Sequence, residues 1–75
     1  MNISEKVRTV VANQFGVELE KVTEEKQLIE FNLDSLDIVE IVMSLEDKFR
    51  IKIEDAEYID VGTVGGIVKL VESKI

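Results

Sequence analysis

Apolar residues recur at helical spacing in three stretches of the chain. The stretches cover about residues 3–15, 35–49 and 64–75, and in each the apolar positions lie three or four residues apart. This periodicity favours amphipathic helices, because such positions fall on one helical face. We therefore predict three main helices and an all-α fold.

Residues with strong capping preferences precede each stretch. Asn2, Asp34 and Thr63 have side-chain oxygens that can accept hydrogen bonds from the unpaired N–H groups of a first helical turn. Asn2 and Glu5 have the spacing of a capping box. Gly16 follows the first stretch and can take the left-handed conformation that ends a helix. Capping chemistry thus agrees with the periodicity.

Three segments between these helices need separate predictions. Residues 16–34 form a long connection, for which we expect apolar anchors in the core and a single turn capped at Thr23. Residues 50–53 alternate but are too short and isolated for a sheet, so we predict an extended link. Residues 55–59 are predicted to form a short third helix that depends on packing. Its expected packing residues are Tyr58, Ile59 and Val61, and the expected anchors of the connection are Val17, Leu19, Val22, Leu28, Ile29, Phe31 and Leu33.

The second helix carries two apolar stripes and one narrow polar stripe, which predicts a mostly buried helix with one acidic edge in water. Ser35 falls in its first turn, where its hydroxyl should face solvent, and a phosphate attached there would lie near free N–H groups. A serine after a capping aspartate also suits capping chemistry alone. The apolar stripes are Leu36, Val39 and Met43, and Ile38, Val42, Leu45 and Phe49; the polar stripe is Asp37, Glu40, Ser44 and Asp47.

Composition excludes several classes of function. The 75 residues include no His and no Cys, which removes Ser-His and Cys-His catalysis and most zinc sites. With no phosphate-binding glycine loop and no calcium-loop pattern, we predict no catalytic residue, no metal site and no enzymatic activity. No stretch is long enough to span a membrane and no signal peptide is evident, so we expect a soluble, cytoplasmic protein.

The charge is concentrated in the middle of the chain. The protein carries a formal charge of −7, and residues 24–60 hold twelve acidic and four basic residues, a net of −8. This acidity argues against nucleic acid as a partner, which requires a basic surface. It favours partners with basic patches, although acidity also serves solubility alone.

The residues around Ser35 resemble those of acyl carrier proteins of the bacterial and organellar fatty-acid-synthesis type. The resemblance covers nearly the whole chain and rests on several short motifs rather than on one triplet. These are Asp34-Ser35-Leu36-Asp37, Val39-Glu40, Val42-Met43, Leu45-Glu46, Phe49, Ile51-x-Ile53, Thr63-Val64 and the helix end Phe15-Gly16-Val17.

The resemblance implies a four-helix bundle, with a short third helix and a long loop between helices 1 and 2, forming one domain over residues 1–75. Ser35 would accept 4′-phosphopantetheine from coenzyme A through a separate holo-carrier synthase. The arm would carry acyl groups as thioesters between fatty-acid-synthesis enzymes whose docking patches are basic. We expect a monomer without membrane insertion.

The resemblance also implies roles for two further sets of residues. One set would meet partner enzymes, and the other would line a groove for the acyl chain between helices 2 and 3, although ordinary core packing explains the second set equally well. Recognition would involve Asp34, Leu36, Asp37, Val39, Glu40, Met43, Glu46 and Asp47, and the groove would be lined by Leu45, Ile53 and Val61.

Two positions depart from the family pattern. Asn32 stands where the family usually has Gly, and Asn tolerates a positive φ best after Gly. Glu54 stands where the family often has Pro, which leaves the start of the short third helix uncertain. Two alternatives remain open: a specialised carrier for polyketide or other lipid pathways, and an unmodified helical interaction module in which Ser35 is only a capping residue.

Overall fold

The computed structural model describes residues 2–75 and contains four α-helices in that range, with no β-strand. The all-α prediction is confirmed, and the first two helices have the predicted bounds. The third helix ends one residue earlier than predicted. The helices are α1 (Ile3–Phe15), α2 (Ser35–Phe49), α3 (Asp55–Tyr58) and α4 (Val64–Lys74), with short 3₁₀ turns at Leu19–Lys21 and Leu28–Phe31.

The predicted caps are present. Asn2 Oδ1 accepts from Glu5 N at 2.8 Å, and Thr63 Oγ1 accepts from Gly66 N at 3.0 Å. Gly16 ends α1 with φ +65°. These contacts satisfy N–H groups that have no partner inside a helix, so local chemistry fixes the helix bounds.

The core lies where α1 packs against both α2 and α4. It consists of branched aliphatic side chains and one alanine, which pack without any buried polar or charged side chain in the described residues. Leu45 and Ile53, predicted to line the acyl groove, belong to this core. The buried residues are Val7, Val11, Ala12, Val22, Leu28, Ile41, Val42, Leu45, Ile53, Val64, Ile67, Val68 and Val71.

Only one of the two apolar stripes of α2 is buried. Leu36 is 63% exposed, Met43 59% and Val39 38%, whereas in the other stripe Val42 is 6% exposed and Leu45 is completely buried. The prediction of a mostly buried helix was therefore wrong. Because the stripe of Leu36, Val39 and Met43 has no covering helix, α2 presents an apolar face to solvent beside Ser35.

The long connection is held to the core by anchors of two kinds, buried aliphatic side chains and a stacked aromatic ring. Val22 and Leu28 are buried, and the Phe31 ring stacks on Phe15 with centroids 4.9 Å apart. Ile29 was expected to be a further anchor, but it is 75% exposed. The turn expected at Thr23 is a hydrogen-bonded turn outside any helix, in which Lys26 N donates to Thr23 O at 3.1 Å.

The link between α2 and α3 contains no strand, but its first residue, Arg50, is left-handed rather than extended as predicted, and a carboxylate fixes the link. Glu46 Oε2 accepts from Ile53 N at 2.8 Å. Arg50 caps α2 in the left-handed region with φ +55°. This hydrogen bond and the left-handed residue reverse the chain at the end of α2, before α3 begins.

Short α3 is held by Tyr58, which packs against the core as predicted, and by polar contacts. Glu57 Oε1 accepts from Glu54 N at 2.9 Å, a bond that a proline at position 54 would eliminate, and its other carboxylate oxygen pairs with Lys74 on α4. Ile59 was expected to pack α3 down, but it is 74% exposed. The ion pair between Glu57 and Lys74 adds a polar contact between this helix and α4.

We predict that this ion pair makes stability depend on pH. The hydrogen bond from Lys74, followed by that from the Glu54 backbone, lowers the pKa of Glu57 below its ordinary value of 4.5. A depressed folded-state pKa stabilises the fold above the ordinary pKa, and that contribution is lost as pH falls through the folded-state value. Glu57→Gln should lower the melting temperature at about pH 7, and the difference from wild type should shrink at about pH 3.

Thermal melts across this range test the prediction. Glu72→Gln is the matched control, because Glu72 is an exposed carboxylate on α4, the helix that carries Lys74. An equal loss in both variants, or a constant difference at all pH values, would contradict a specific role for Glu57.

Gly65 at the start of α4 allows the long connection to approach this helix closely. Its N–H donates to Glu24 O at 2.8 Å, and a Cβ built on it would lie 3.0 Å from the same oxygen. Gly65→Val should lower the free energy of unfolding by about 1–3 kcal/mol, as overpacking typically does. Urea denaturation would measure this, with Gly62→Ala as control because a Cβ there meets nothing within 4 Å.

Candidate functional site

Ser35 is the first residue of α2 and its side chain is exposed, as predicted. Asp34 precedes it as the N-cap. Asp34 Oδ1 accepts from Asp37 N at 3.0 Å, and Asp37 Oδ2 accepts from Asp34 N at 3.1 Å, which completes a capping box. Because each aspartate carboxylate accepts from the backbone N–H of the other, the serine hydroxyl is not needed as a cap.

The turn before α2 depends on Asn32. This residue has φ +56° and ends the preceding 3₁₀ turn, and its N–H donates to Ile29 O at 3.1 Å. The expectation that asparagine adopts a positive φ at this position is confirmed. The left-handed residue reverses the chain, so that Ser35 begins α2 at the surface.

The environment of the Ser35 hydroxyl suits a phosphate ester. The first N–H groups of an α-helix have no partner inside the helix and carry the positive end of its dipole. Those of Ser35 and Leu36 stand at this end of α2, while the Asp37 N–H is taken by Asp34. A phosphate on Ser35 would therefore face two available donors, while the neighbouring carboxylates of Asp34 and Asp37 oppose additional negative charge.

Ser35 also lines an open groove of about 520 Å³. The walls come from α2, from α3 with the residues that follow it, and from the end of the long connection, and they are mostly apolar. Such a volume is within the ordinary range for sites that take small molecules. The lining residues are Gln27, Leu28, Ile29, Leu33, Ser35, Ile38, Val39, Tyr58, Ile59, Val61 and Gly62.

Of the three residues predicted to line the acyl groove, Val61 does so. Leu45 and Ile53 do not, because their side chains are 0% and 5% exposed and pack in the core. A direct role for them with an acyl chain remains a prediction. Sequence reasoning assigned Tyr58 and Ile59 only to the packing of α3, since alternation of polar and apolar positions carries no signal for a groove.

The predicted recognition residues form an edge that is partly engaged within the protein. The Gln14 amide on α1 donates to Glu40 Oε1 at 2.6 Å and to Asp37 Oδ1 at 3.3 Å. Glu46 uses one carboxylate oxygen on the Ile53 backbone, whereas Asp47 is exposed. The acidic edge is thus positioned by α1, through a glutamine that the sequence pattern did not single out.

Other kinds of site are not assembled in residues 2–75. These residues contain no cluster of three or more acidic, His or Cys side chains placed to hold a metal ion. No helix among them is long and apolar enough to cross a membrane.

Comparison with protein families identifies a model described as a phosphopantetheine attachment site, which matches residues 5–71. Two curated relatives, both named acyl carrier protein, match over 74 residues. The protein from Thermotoga maritima is 40% identical and the match covers 97% of this chain and 91% of that protein. The protein from Wolinella succinogenes is 43% identical, with 97% of each chain covered.

Solved structures show the same architecture. The crystal structure of an acyl carrier protein from Thermotoga maritima superposes with a TM-score of 0.77 at 33% identity, covering 92% of this chain and 81% of that one. A free-standing peptidyl carrier protein from a secondary metabolic pathway of Acinetobacter baumannii gives 0.79 at 26% identity, covering 93% and 88%.

Proposed function

Because the chain belongs to the phosphopantetheine-attachment family of acyl carrier proteins, we propose that Ser35 holds its 4′-phosphopantetheine arm and that the protein carries growing acyl chains in fatty acid biosynthesis. The observation that carries this proposal is the exposed Ser35 hydroxyl at the first turn of α2, on the edge of an apolar groove. We further propose that residues 1–75 act as one monomeric carrier domain in the cytoplasm.

No other serine combines these properties. Ser4 Oγ donates to Glu24 Oε2 at 2.6 Å, and Ser73 Oγ donates to Leu70 O at 2.6 Å. Ser44 lies in the middle of α2, where the helical N–H groups are used within the helix. Ser4 also lies in a first helical turn, but among the serines only Ser35 lines the groove, which supports it as the attachment site.

The attachment reaction requires little from the carrier itself. The Ser35 oxygen forms a bond to the phosphorus that carries the pantetheine group of coenzyme A, the pyrophosphate bond breaks, and adenosine 3′,5′-bisphosphate leaves. The hydroxyl proton passes to a base of the transferase. When attached, the arm supplies a terminal thiol that holds acyl groups as thioesters. The chain then positions the arm beside the groove.

The remaining surface is proposed to recognise enzymes in turn. Asp34 and Asp47 are exposed carboxylates, and Leu36 and Met43 are exposed apolar contacts on the same helix. Solvent-exposed ion pairs are individually weak and mainly accelerate encounter. Weak docking suits a carrier that must leave each enzyme, and we infer that chemistry is supplied by those enzymes rather than by this chain.

The likeness to a peptidyl carrier protein favours a second candidate, a carrier dedicated to a specialised pathway. Its attachment chemistry at Ser35 would be the same, so only the cargo separates the two. Loading with malonyl groups and elongation by fatty-acid-synthesis enzymes would support the first proposal. A holo protein that accepts no malonyl group would support the second.

The test of attachment is intact-mass spectrometry after incubation with coenzyme A and a promiscuous phosphopantetheinyl transferase. We expect a gain of one phosphopantetheine, and peptide mapping should place it on the peptide that contains Ser35. No gain in a folded sample would favour the unmodified interaction module. A gain on a peptide that contains Ser44 but not Ser35 would overturn the assigned site.

A further inference from the structure

Most of the exposed large apolar side chains lie in or near the groove that Ser35 lines. The described residues contain six of them, and Ile29, Val39 and Ile59 line the same groove as Ser35. Leu36 is next to Ser35 in the chain, and Met43 follows Val39 by one helical turn. Only Ile75, which is 67% exposed, belongs to another part of the chain. Apolar exposure concentrated in this way marks an interaction site.

Two of these residues lie outside the predicted recognition edge. Ile29 is 75% exposed on the Leu28–Phe31 turn, and Ile59 is 74% exposed just after α3. We propose that Ile29 and Ile59, which we call the apolar rim, dock the phosphopantetheinyl transferase that modifies Ser35. This inference rests on the proposed function, and it extends the recognition surface from α2 to two further elements.

Folding alone gives no reason for isoleucine at these positions. Each rim residue directly follows a side chain that packs inward: Leu28 is buried, and Tyr58 packs against the core. Transfer of an isoleucine side chain from water to an apolar environment is favourable, but neither rim residue realises this gain within the protein. A partner that covers both isoleucine side chains would gain this transfer free energy.

The geometry favours an enzyme that acts on Ser35 as the occupant. Such an enzyme must bring its reactive centre to the Ser35 hydroxyl, and a standard interface covers about 800 Å² on each partner. The apolar rim lines the same groove as Ser35, so a footprint of this size centred on Ser35 would cover it.

Exposed carboxylates beside the apolar rim and Ser35 indicate which charge the transferase surface should carry. Asp60 follows Ile59, and Asp34 precedes Ser35, and both carboxylates are exposed. The transferase surface should therefore present apolar depressions framed by basic groups, because complementary charge guides encounter while apolar contacts at the centre hold the complex.

The attachment reaction tests docking of the transferase without interference from an acyl chain. The rim residues line the groove and could contact an acyl chain, but no acyl chain is present before the arm is attached. A change in the rate of attachment to the apo protein therefore reports the contact with the transferase alone.

The experiment measures kcat/KM for attachment to apo protein, using coenzyme A, a promiscuous transferase and intact-mass detection. We expect Ile29→Ser and Ile59→Ser each to lower kcat/KM by about fivefold to tenfold, mainly through KM, since partial loss of apolar burial weakens docking by this order. The matched control is Ile75→Ser, which should load at the wild-type rate. Circular dichroism should show that all variants are folded.

The outcomes distinguish the two proposals. Failure of the wild-type protein to load would overturn the proposed function and this inference together. Normal loading of wild type and of both rim variants would overturn the inference alone, as would an equal loss in Ile75→Ser. A loss that persists at about 0.5 M salt would support apolar contact, because salt screens charge pairs and leaves apolar contacts in place.

Discussion

Replacement of Ser35 with alanine should leave the protein at its apo mass after prolonged incubation with coenzyme A and a transferase. The substitution removes the only oxygen at the start of α2 that can form the phosphate ester. It should not unfold the protein, because Asp34 and Asp37 cap α2 without using the serine hydroxyl. Intact-mass spectrometry and a thermal melt on the same sample measure both effects.

Ser44→Ala is the matched control, because Ser44 is an exposed serine on the same helix. It should gain one phosphopantetheine at the wild-type rate. A residual gain in Ser35→Ala would show that another side chain accepts the arm. A large loss of stability in that variant would show that the Ser35 hydroxyl contributes to the fold after all.

The second prediction with a large expected effect concerns the free energy of unfolding. Leu45→Ala should cost about 2–5 kcal/mol, as leucine-to-alanine changes in a well-packed core do. Leu45 is completely buried in the core. A domain of this size typically has only about 3–5 kcal/mol to lose, so much of the variant should be unfolded at room temperature by circular dichroism.

Leu36→Ala provides the comparison, because Leu36 is a leucine of the same helix that is 63% exposed. Its free energy of unfolding should change by no more than about 0.5 kcal/mol. Similar losses in the two variants would contradict the assignment of faces on α2. A folded Leu45→Ala protein with altered acyl-chain retention would instead support the prediction that Leu45 contacts the cargo.

Much of the fold was predictable because it depends on local chemistry. Asp34 and Thr63 were identified as caps from residue type, since a short side-chain oxygen satisfies first-turn N–H groups wherever it occurs. Gly16 was identified because it adopts positive φ without strain. Periodicity and capping placed Ser35 in the first turn of α2, and the family resemblance added its cofactor, which periodicity alone could not supply.

The sequence pattern did not predict which apolar side chains are buried where burial depends on contacts between separate elements. The two apolar stripes of α2 look alike along the chain, and only the position of α1 determines that the face with Leu45 is buried and the face with Met43 is exposed. For the same reason Ile29 and Ile59 were taken for packing residues. A groove formed by separate elements requires long-range contacts, which hydrophobic periodicity does not encode.

The groove wall also gives the protein an optical property. The chain has one tyrosine and no tryptophan, and Tyr58 lines the groove beside Ser35. Its hydroxyl donates to Asp55 Oδ1 at 3.2 Å, and desolvation, followed by that hydrogen bond, raises the pKa of the phenol. The near-ultraviolet emission of the protein therefore comes chiefly from one ring in the groove wall. A carrier built in this way contains its own label-free reporter of whatever enters or leaves the groove.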